Sequence, residues 1–225
     1  MKVSAIVPVR AGSRRLANKN IRPFGDTNLF VHKLRQLRQV KGLDQILVSS
    51  DSEEMLDMAR QESRLAGIPI DTHQRAPEYC DEQTKTFNEV VEHIVSQAKG
   101  DVIMWAPCVC PLCGSDRLEQ ALKDYVVQVQ HGPFDSVISA KPFKEYLFGT
   151  QGPMNWDPAH HVPSQFLPDW KVIVNGFYIA SKENMLSWSF VYGPNPYLYL
   201  LSKAEAVDID DEADYLLAKV LFERK

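Results

Sequence analysis

The chain has 225 residues, 44% of them hydrophobic and 24% charged, with a formal net charge of -4 at pH 7. Those proportions fit a globular protein with a sizeable core and exclude a disordered chain. The mild acidity argues against a general nucleic-acid or membrane-surface binder.

Met1 and Lys2 lead into an apolar run, residues 3–9, that Arg10 closes. The run is too short for a signal-peptide core or a membrane span, which points to a cytoplasmic protein, and it reads as a buried strand. Asn28 is placed to cap a helix through Val40, with Phe30, Leu34 and Leu37 on one face. Residues 45–50 (QILVSS) form the second expected strand. Asp51 and Glu54 have capping-box spacing ahead of a helix that ends near Gly67, and residues 68–71 suggest a short third strand.

A polar loop, THQRAPEYCDEQ, precedes a helix over residues 84–98 with Phe87, Val90, Val91, Ile94 and Val95 directed inward. DVIMWA at 101–106 is apolar enough for the centre of a parallel sheet. Ser115 is placed to cap a further helix, with Leu118, Leu122, Tyr125, Val126 and Val129 at helical spacing, and residues 135–140 read as a strand. Residues 141–170, rich in Pro, Trp, His and Phe, break the pattern. Strands are expected again at 171–180, 197–202 and 205–209, before an amphipathic helix over 211–224. The alternation predicts an α/β architecture: a Rossmann-like, mostly parallel sheet with helices on both faces. Its core would span residues 1–140, interrupted by a small excursion at 141–170 and resumed at 171–225.

The cysteines are Cys80, Cys108, Cys110 and Cys113, three of them in APCVCPLCG. Zinc sites usually add a second, distant pair to a C-x2-C, so small buried residues in a reducing compartment are the favoured reading.

Ligands of open α/β sheets bind where the strands end. The first such edge carries VPVRAGSRRLANKNIRPFG, with five cations and no acid before Asp26. Neither G-x-G-x-x-G nor a P-loop is present, so side chains must meet a polyphosphate. Arg10, Arg14, Arg15 and Lys19 suit that task, and the amides around Ala11, Gly12 and Ser13 can add a nest. Arg22 lies past this group. At the other end of the chain, Asp208 and Asp210 have the i, i+2 spacing that turns two carboxylates the same way on a strand, a geometry suited to Mg²⁺. Asp211, Glu212 and Asp214 fit the acidic start of a helix instead.

VPVRAGSRRLANKNI resembles the first motif of the acylneuraminate cytidylyltransferases, the CMP-sialic acid synthetase family, at Pro8, Arg10, Ser13, Arg14, Lys19 and Asn20. VSSDS at 48–52, RAPEYCDEQT at 75–84, NGFYI at 175–179 and VDIDDEADY at 207–215 follow in the family's order. The resemblance implies transfer of CMP from CTP to the anomeric hydroxyl of a nine-carbon 2-keto sugar acid, with release of pyrophosphate. It implies that Arg10, Ala11, Gly12, Ser13, Arg14, Lys19 and Asn20 hold the nucleotide, with Arg75 reading the cytosine edge. Gln165, Asn175 and Tyr178 would contact the sugar, Asp208 and Asp210 would hold Mg²⁺, and Arg10, Lys19 and Asp210 would be catalytic. It also makes 141–170 a dimerisation region, and the protein a homodimer with no nucleic-acid or membrane partner.

Two stretches depart from the family. The loop after the central strand reads WAPCVCPLC, where the family has W-A-H-x-T-S-P or Q-P-T-S-P-L, so polar sugar contacts are replaced by Pro107, Val109 and Cys110. PSQFLP has Pro163 where a basic residue is usual, leaving Lys141, Lys144 or Lys171 as substitutes for a carboxylate clamp. The paired His160 and His161 read as interface rather than metal ligands. The alternatives are a cytidylyltransferase for 3-deoxy-manno-octulosonate and a nucleotide-binding homologue without catalysis.

Overall fold

The structure is a computed structural model that describes residues 1–13, 15–65, 67–81 and 83–224. Seven strands form one sheet: β1 (Val3–Pro8), β2 (Gln45–Ser50), β3 (Ile70–Gln74), β4 (Val102–Trp105), β5 (Ser136–Phe143), β6 (Trp170–Ser181) and β7 (Pro196–Leu200). Their spatial order is β7-β5-β6-β4-β1-β2-β3. All neighbours are parallel except β6, which runs antiparallel to both β4 and β5. Among the described residues six α-helices accompany the sheet: α1 (Leu29–Arg38), α2 (Glu53–Ser63), α3 (Phe87–Ser96), α4 (Ser115–Asp124), α5 (Lys182–Trp188) and α6 (Glu212–Glu223). Among the described residues no helix is long and apolar enough to cross a membrane.

Strand periodicity separates two cores. Ala5 and Val7 face one side with Phe30, Leu34 and Leu37 of α1, Leu56 of α2 and Leu118 of α4. Ile6 and Leu47 face the other with Val91, Ile94 and Val95 of α3 and Met185 of α5. The expected helices on both faces are therefore present.

A third cluster decides where the site lies. Leu16, Phe24 and Leu29 pack with Leu112, Val207, Ile209, Tyr215 and Ala218. Phe24, Leu29 and Ile209 are fully buried, each stabilising by about 1.5–3 kcal/mol relative to exposure. This cluster brings the cation loop against the acidic segment near the C-terminus.

Local chemistry shifted several expected boundaries. Ser52, not Asp51, caps α2 through Met55, because the Asp51 carboxylate accepts from the Ala11 amide at 2.9 Å. The cap of α4 is Gly114, with Ser115 as the first helical residue, and the helix continues as wider π turns over Tyr125–Gln130. The third strand falls at Ile70–Gln74, later than expected. Residues 205–209 form no strand: Ile209 N donates to Val109 O at 2.8 Å, a single bond to a loop rather than a ladder. Helix α5, capped by Ser181, was not expected at all.

The excursion is narrower than residues 141–170, because β5 and β6 pair beyond the rest of the sheet, from Ile173 opposite Ala140 out to Trp170 opposite Phe143. A small hairpin, Phe148–Gly149 with Gly152–Pro153, lies within it. On the sheet side of Ile173 the β5–β6 register breaks. There Ser139 Oγ donates to Val174 O at 2.6 Å and accepts from Phe177 N at 3.0 Å. A Cβ on Gly176 would come within 3.0 Å of that hydroxyl, so the asparagine-glycine pair at 175–176 fits the bulge.

Candidate active site

The loops that follow β1, β3 and β4 converge with the acidic segment on a cleft of ≈ 630 Å³. A second hollow of ≈ 500 Å³, sharing Pro8, Arg10, Arg15, Lys19 and Arg75 with the first, lies under the cation loop and is also lined by Ser13 and Asn20. Each of the two has its own chemistry. The smaller is lined by cations and loop backbone. The larger adds Phe87, Trp105, Tyr178, Phe190 and Tyr192.

The cation loop is held by its own polar atoms. Gly12 has φ of 69°, a left-handed conformation that needs glycine although a Cβ there would touch nothing. Arg10 Nη1 donates to Cys80 O at 2.6 Å, tying the first loop to the loop before α3. Arg75 is 4% exposed, donates through Nη2 to Val9 O at 2.5 Å and leaves Nε buried without a partner. Asn20 is 8% exposed; its Nδ2 donates to Arg10 O at 3.0 Å and its Oδ1 accepts from Cys108 Sγ at 3.1 Å. Asn20 therefore braces the loop while also lining the smaller hollow. Arg14 lies outside the described residues.

Across the cleft, buried Val207 and Ile209 alternate with Asp208 and Asp210, which line the cavity. The two carboxylates share a side as expected, although the segment is not a strand. Lys19 Nζ donates to Ile209 O at 2.7 Å and lies 3.7 Å from Asp210 Oδ1, which also accepts from Arg15 Nη2 at 2.7 Å. Asp208 Oδ2 accepts from Asn175 Nδ2 at 2.7 Å and Asn175 N at 3.2 Å. Its Oδ1 is buried with no partner. Burial pushes the Asp208 carboxyl above the ordinary carboxylate range and the Asp210 charge adds to that, while the bonds from Asn175 pull the other way. An orphaned buried acceptor costs about 1–3 kcal/mol. A divalent cation would satisfy it.

Tyr178 OH donates to Asn175 Oδ1 at 2.7 Å, and burial pushes its phenol above the ordinary range, so it remains a donor. Asn175 and Tyr178 thus both line the cleft and orient Asp208. Gln165, in the short turn Ser164–Phe166, does not line it. Lys144 and Lys171, candidates for the carboxylate clamp, instead face Asp169 at 3.8 and 2.6 Å. Arg22 bonds Glu212 at 2.5 Å and lies over the Tyr215 ring, a structural role. Among the described residues there is no group of three or more His, Cys, Asp or Glu that could hold a metal ion. Cys108, Cys110 and Cys113 are buried and free.

Sequence reasoning missed the aromatic wall. Phe87 was expected in the core, but it is 48% exposed and meets Trp105 and Phe190 edge-on at the cleft. Its position in the first turn of α3, straight after a polar loop, was the available signal. Phe190 and Tyr192 follow the unexpected α5, so nothing local flagged them.

Known proteins supply independent information. Residues 4–131, more than half of the chain, match the cytidylyltransferase family profile. Pseudaminic acid cytidylyltransferase of Campylobacter jejuni is 25% identical over 226 residues, covering 99% of this chain and 97% of that protein. CMP-N,N'-diacetyllegionaminic acid synthase of Legionella pneumophila is 25% identical over 237 residues, again covering 99% and 97%. Among solved structures, a CMP:2-keto-3-deoxy-manno-octonic acid synthetase complexed with CTP superposes with a TM-score of 0.71 at 11% identity, covering 100% of this chain and 99% of that one. Two carboxylates facing a cation loop at the end of a mostly parallel sheet agree with the profile match: the chain belongs to the cytidylyltransferase family, nucleotidyltransferases that take CTP as donor.

Proposed function

We propose that this cytidylyltransferase moves CMP from CTP to the anomeric hydroxyl of a nine-carbon 2-keto sugar acid. The observation that carries the reading is the facing of Arg10, Arg15 and Lys19 with Asp208 and Asp210 beside an aromatic chamber. The cations suit a triphosphate. The chamber suits a substrate larger and less polar than a phosphate, and the full-length relatives are named for pseudaminic and diacetyllegionaminic acids.

In the reaction the anomeric oxygen forms a bond to the α-phosphorus as the bond to the bridging β-phosphate oxygen breaks. Pyrophosphate leaves with the electron pair. Such a displacement asks the protein for positioning and charge neutralisation rather than covalent chemistry. Arg10 and Lys19 neutralise the triphosphate and the departing pyrophosphate. Arg75, which lines both hollows, offers guanidinium donors to the base. Asn175 and Tyr178 hold Asp208 toward the reacting centre. Asp208 and Asp210 would hold Mg²⁺, with waters and substrate oxygens filling its shell, and the ion would lower the pKa of the attacking hydroxyl and screen the α-phosphate.

The protein acts, in this reading, as a homodimer. Phe148, Met154, Phe166 and Trp170 are 74%, 62%, 69% and 41% exposed on and beside the excursion, an apolar surface that a second copy would cover.

The test is pyrophosphate release from CTP and Mg²⁺ with a panel of acids: N-acetylneuraminate, legionaminate, pseudaminate and 3-deoxy-manno-octulosonate. Release with a nine-carbon acid is expected. Release with the eight-carbon acid alone would reassign the substrate. CTP binding with no release from any acid would make the chain a binding homologue.

A further inference from the structure

We propose that Cys108 is a positioning residue for nucleotide transfer, its thiol holding Asn20 and, through Asn20, the main chain at Arg10. The inference rests on the function proposed above, since it assumes that CTP binds under the cation loop.

The geometry is a relay of two hydrogen bonds between neighbouring loops. Cys108 Sγ donates to Asn20 Oδ1 at 3.1 Å, and Asn20 Nδ2 donates to Arg10 O at 3.0 Å. Both side chains are shielded, Cys108 at 1% and Asn20 at 8% exposure. Burial pushes the Cys108 thiol up to about 11, so it keeps its proton and stays a donor at neutral pH. The relay's far end is the residue whose guanidinium lines both hollows and whose carbonyl precedes the left-handed turn at Gly12.

Its near end is fixed from below. Pro111 O accepts from Gln36 Nε2 of α1 at 2.7 Å, and the fully buried Lys33 Nζ of the same helix reaches Cys110 O at 3.4 Å. The same short segment grips the acidic side of the cleft. Val109 O accepts from Ile209 N at 2.8 Å, and Cys110 Sγ donates to Glu205 O at 3.1 Å. Residues 108–110 thus join the phosphate side to the metal side. Pro107 and Val109, which flank Cys108, and Cys110 lie where the sequence departs from the resembling family.

The competing account is that Cys108 only fills space, since a buried cysteine behaves as a small hydrophobe. The two accounts order conservative variants oppositely. Cys108→Val keeps an apolar side chain but leaves Asn20 Oδ1 buried without a donor. Cys108→Ser keeps a donor but is the poorer apolar filler.

The experiment measures CTP binding in the presence of Mg²⁺ by calorimetry, together with kcat and KM for CTP, on the full chain. Cys108→Val is expected to weaken CTP binding about tenfold, the scale of one lost hydrogen bond with its acceptor left buried, and to lower Tm by only a few degrees, so that the protein stays folded at the assay temperature. Cys108→Ser is expected to bind within about threefold of wild type. In an Asn20→Ala background the Cys108→Val effect should vanish, because the relay is already cut. This cycle keeps the test decisive if one single variant is less stable than expected. Cys108→Val binding CTP as tightly as wild type, or an undiminished effect in the Asn20→Ala background, overturns the proposal. Wild-type protein that binds no CTP overturns the proposed function first, and this inference with it.

Discussion

Lys19 differs from Arg15 of the same loop in having little choice of position. Its side chain is 14% exposed, against 68% for Arg15, and its ammonium is already aimed between Ile209 O and Asp210. A charge so preorganised stabilises developing phosphate charge without reorganisation at the moment of reaction. Lys19→Ala should lower kcat about 10²–10³-fold, with the circular-dichroism spectrum unchanged. A decline limited to twofold would remove Lys19 from the machinery. Asp210 sits 43% exposed in a pair with Arg15 that is worth at most about 1 kcal/mol to stability. Asp210→Asn should therefore leave Tm almost unmoved while cutting Mg²⁺-dependent turnover by about 10²-fold or more. Full activity at ordinary Mg²⁺ would show that the ion is held elsewhere.

At the scale of elements, the segment between β3 and α3 is held by rings. Tyr79 stacks on His93 of α3 at 3.9 Å and 9°, and His93 lies 5.0 Å from His73 of β3. His73 Nδ1 contacts Ser49 Oγ at 3.1 Å, and His93 Nε2 is buried without a partner. Burial holds both imidazoles below the ordinary value of 6.5, and the Arg75 charge adds to the depression; Glu78 opposes it at His93. A base depressed in the folded state contributes stability fully above its unfolded pKa of about 6.5, and that stability is lost as pH falls through the lower folded values. Tm should therefore drop as pH is taken from 7.5 to 5, and His93→Gln should flatten the drop. An identical acid limb in the variant would place the pH sensitivity elsewhere. Because Tyr79 and Cys80 of this segment line the cleft, nucleotide affinity should weaken over the same range.

The whole molecule leaves an apolar surface that a second copy would cover. Its cores are sealed, yet Phe148 and Phe166 are 74% and 69% exposed near the β5–β6 extension. Light scattering should report a dimer, and Phe148→Asp should shift it toward monomer with no loss of monomer Tm, because an exposed side chain contributes little packing. Wild-type protein that is monomeric at high concentration would leave that surface for another role.

The sequence by itself determined whatever is written in local periodicity and local charge. Alternating Ala5, Ile6 and Val7, the helical repeat of α1 and α3, the cap at Asn28 and the acidic helix start at Asp211 were all readable, because they depend on residues a few positions apart. So were the cation loop and the Asp208–Asp210 pair, since charge without compensation nearby is visible in one dimension. Tertiary structure decided the rest. It turned Phe87 outward, drew Asp51 away from its helix to the Ala11 amide, and tied Asn20 to the Arg10 carbonyl. It replaced the expected last strand with a segment bonded to the cysteine loop. Each of these choices depends on which distant group arrives first at a donor, an acceptor or a hydrophobic surface. Residues 16–29 and 207–218 meet because their apolar side chains share one small core. That burial, a property of the folded chain alone, places the carboxylates opposite the cations.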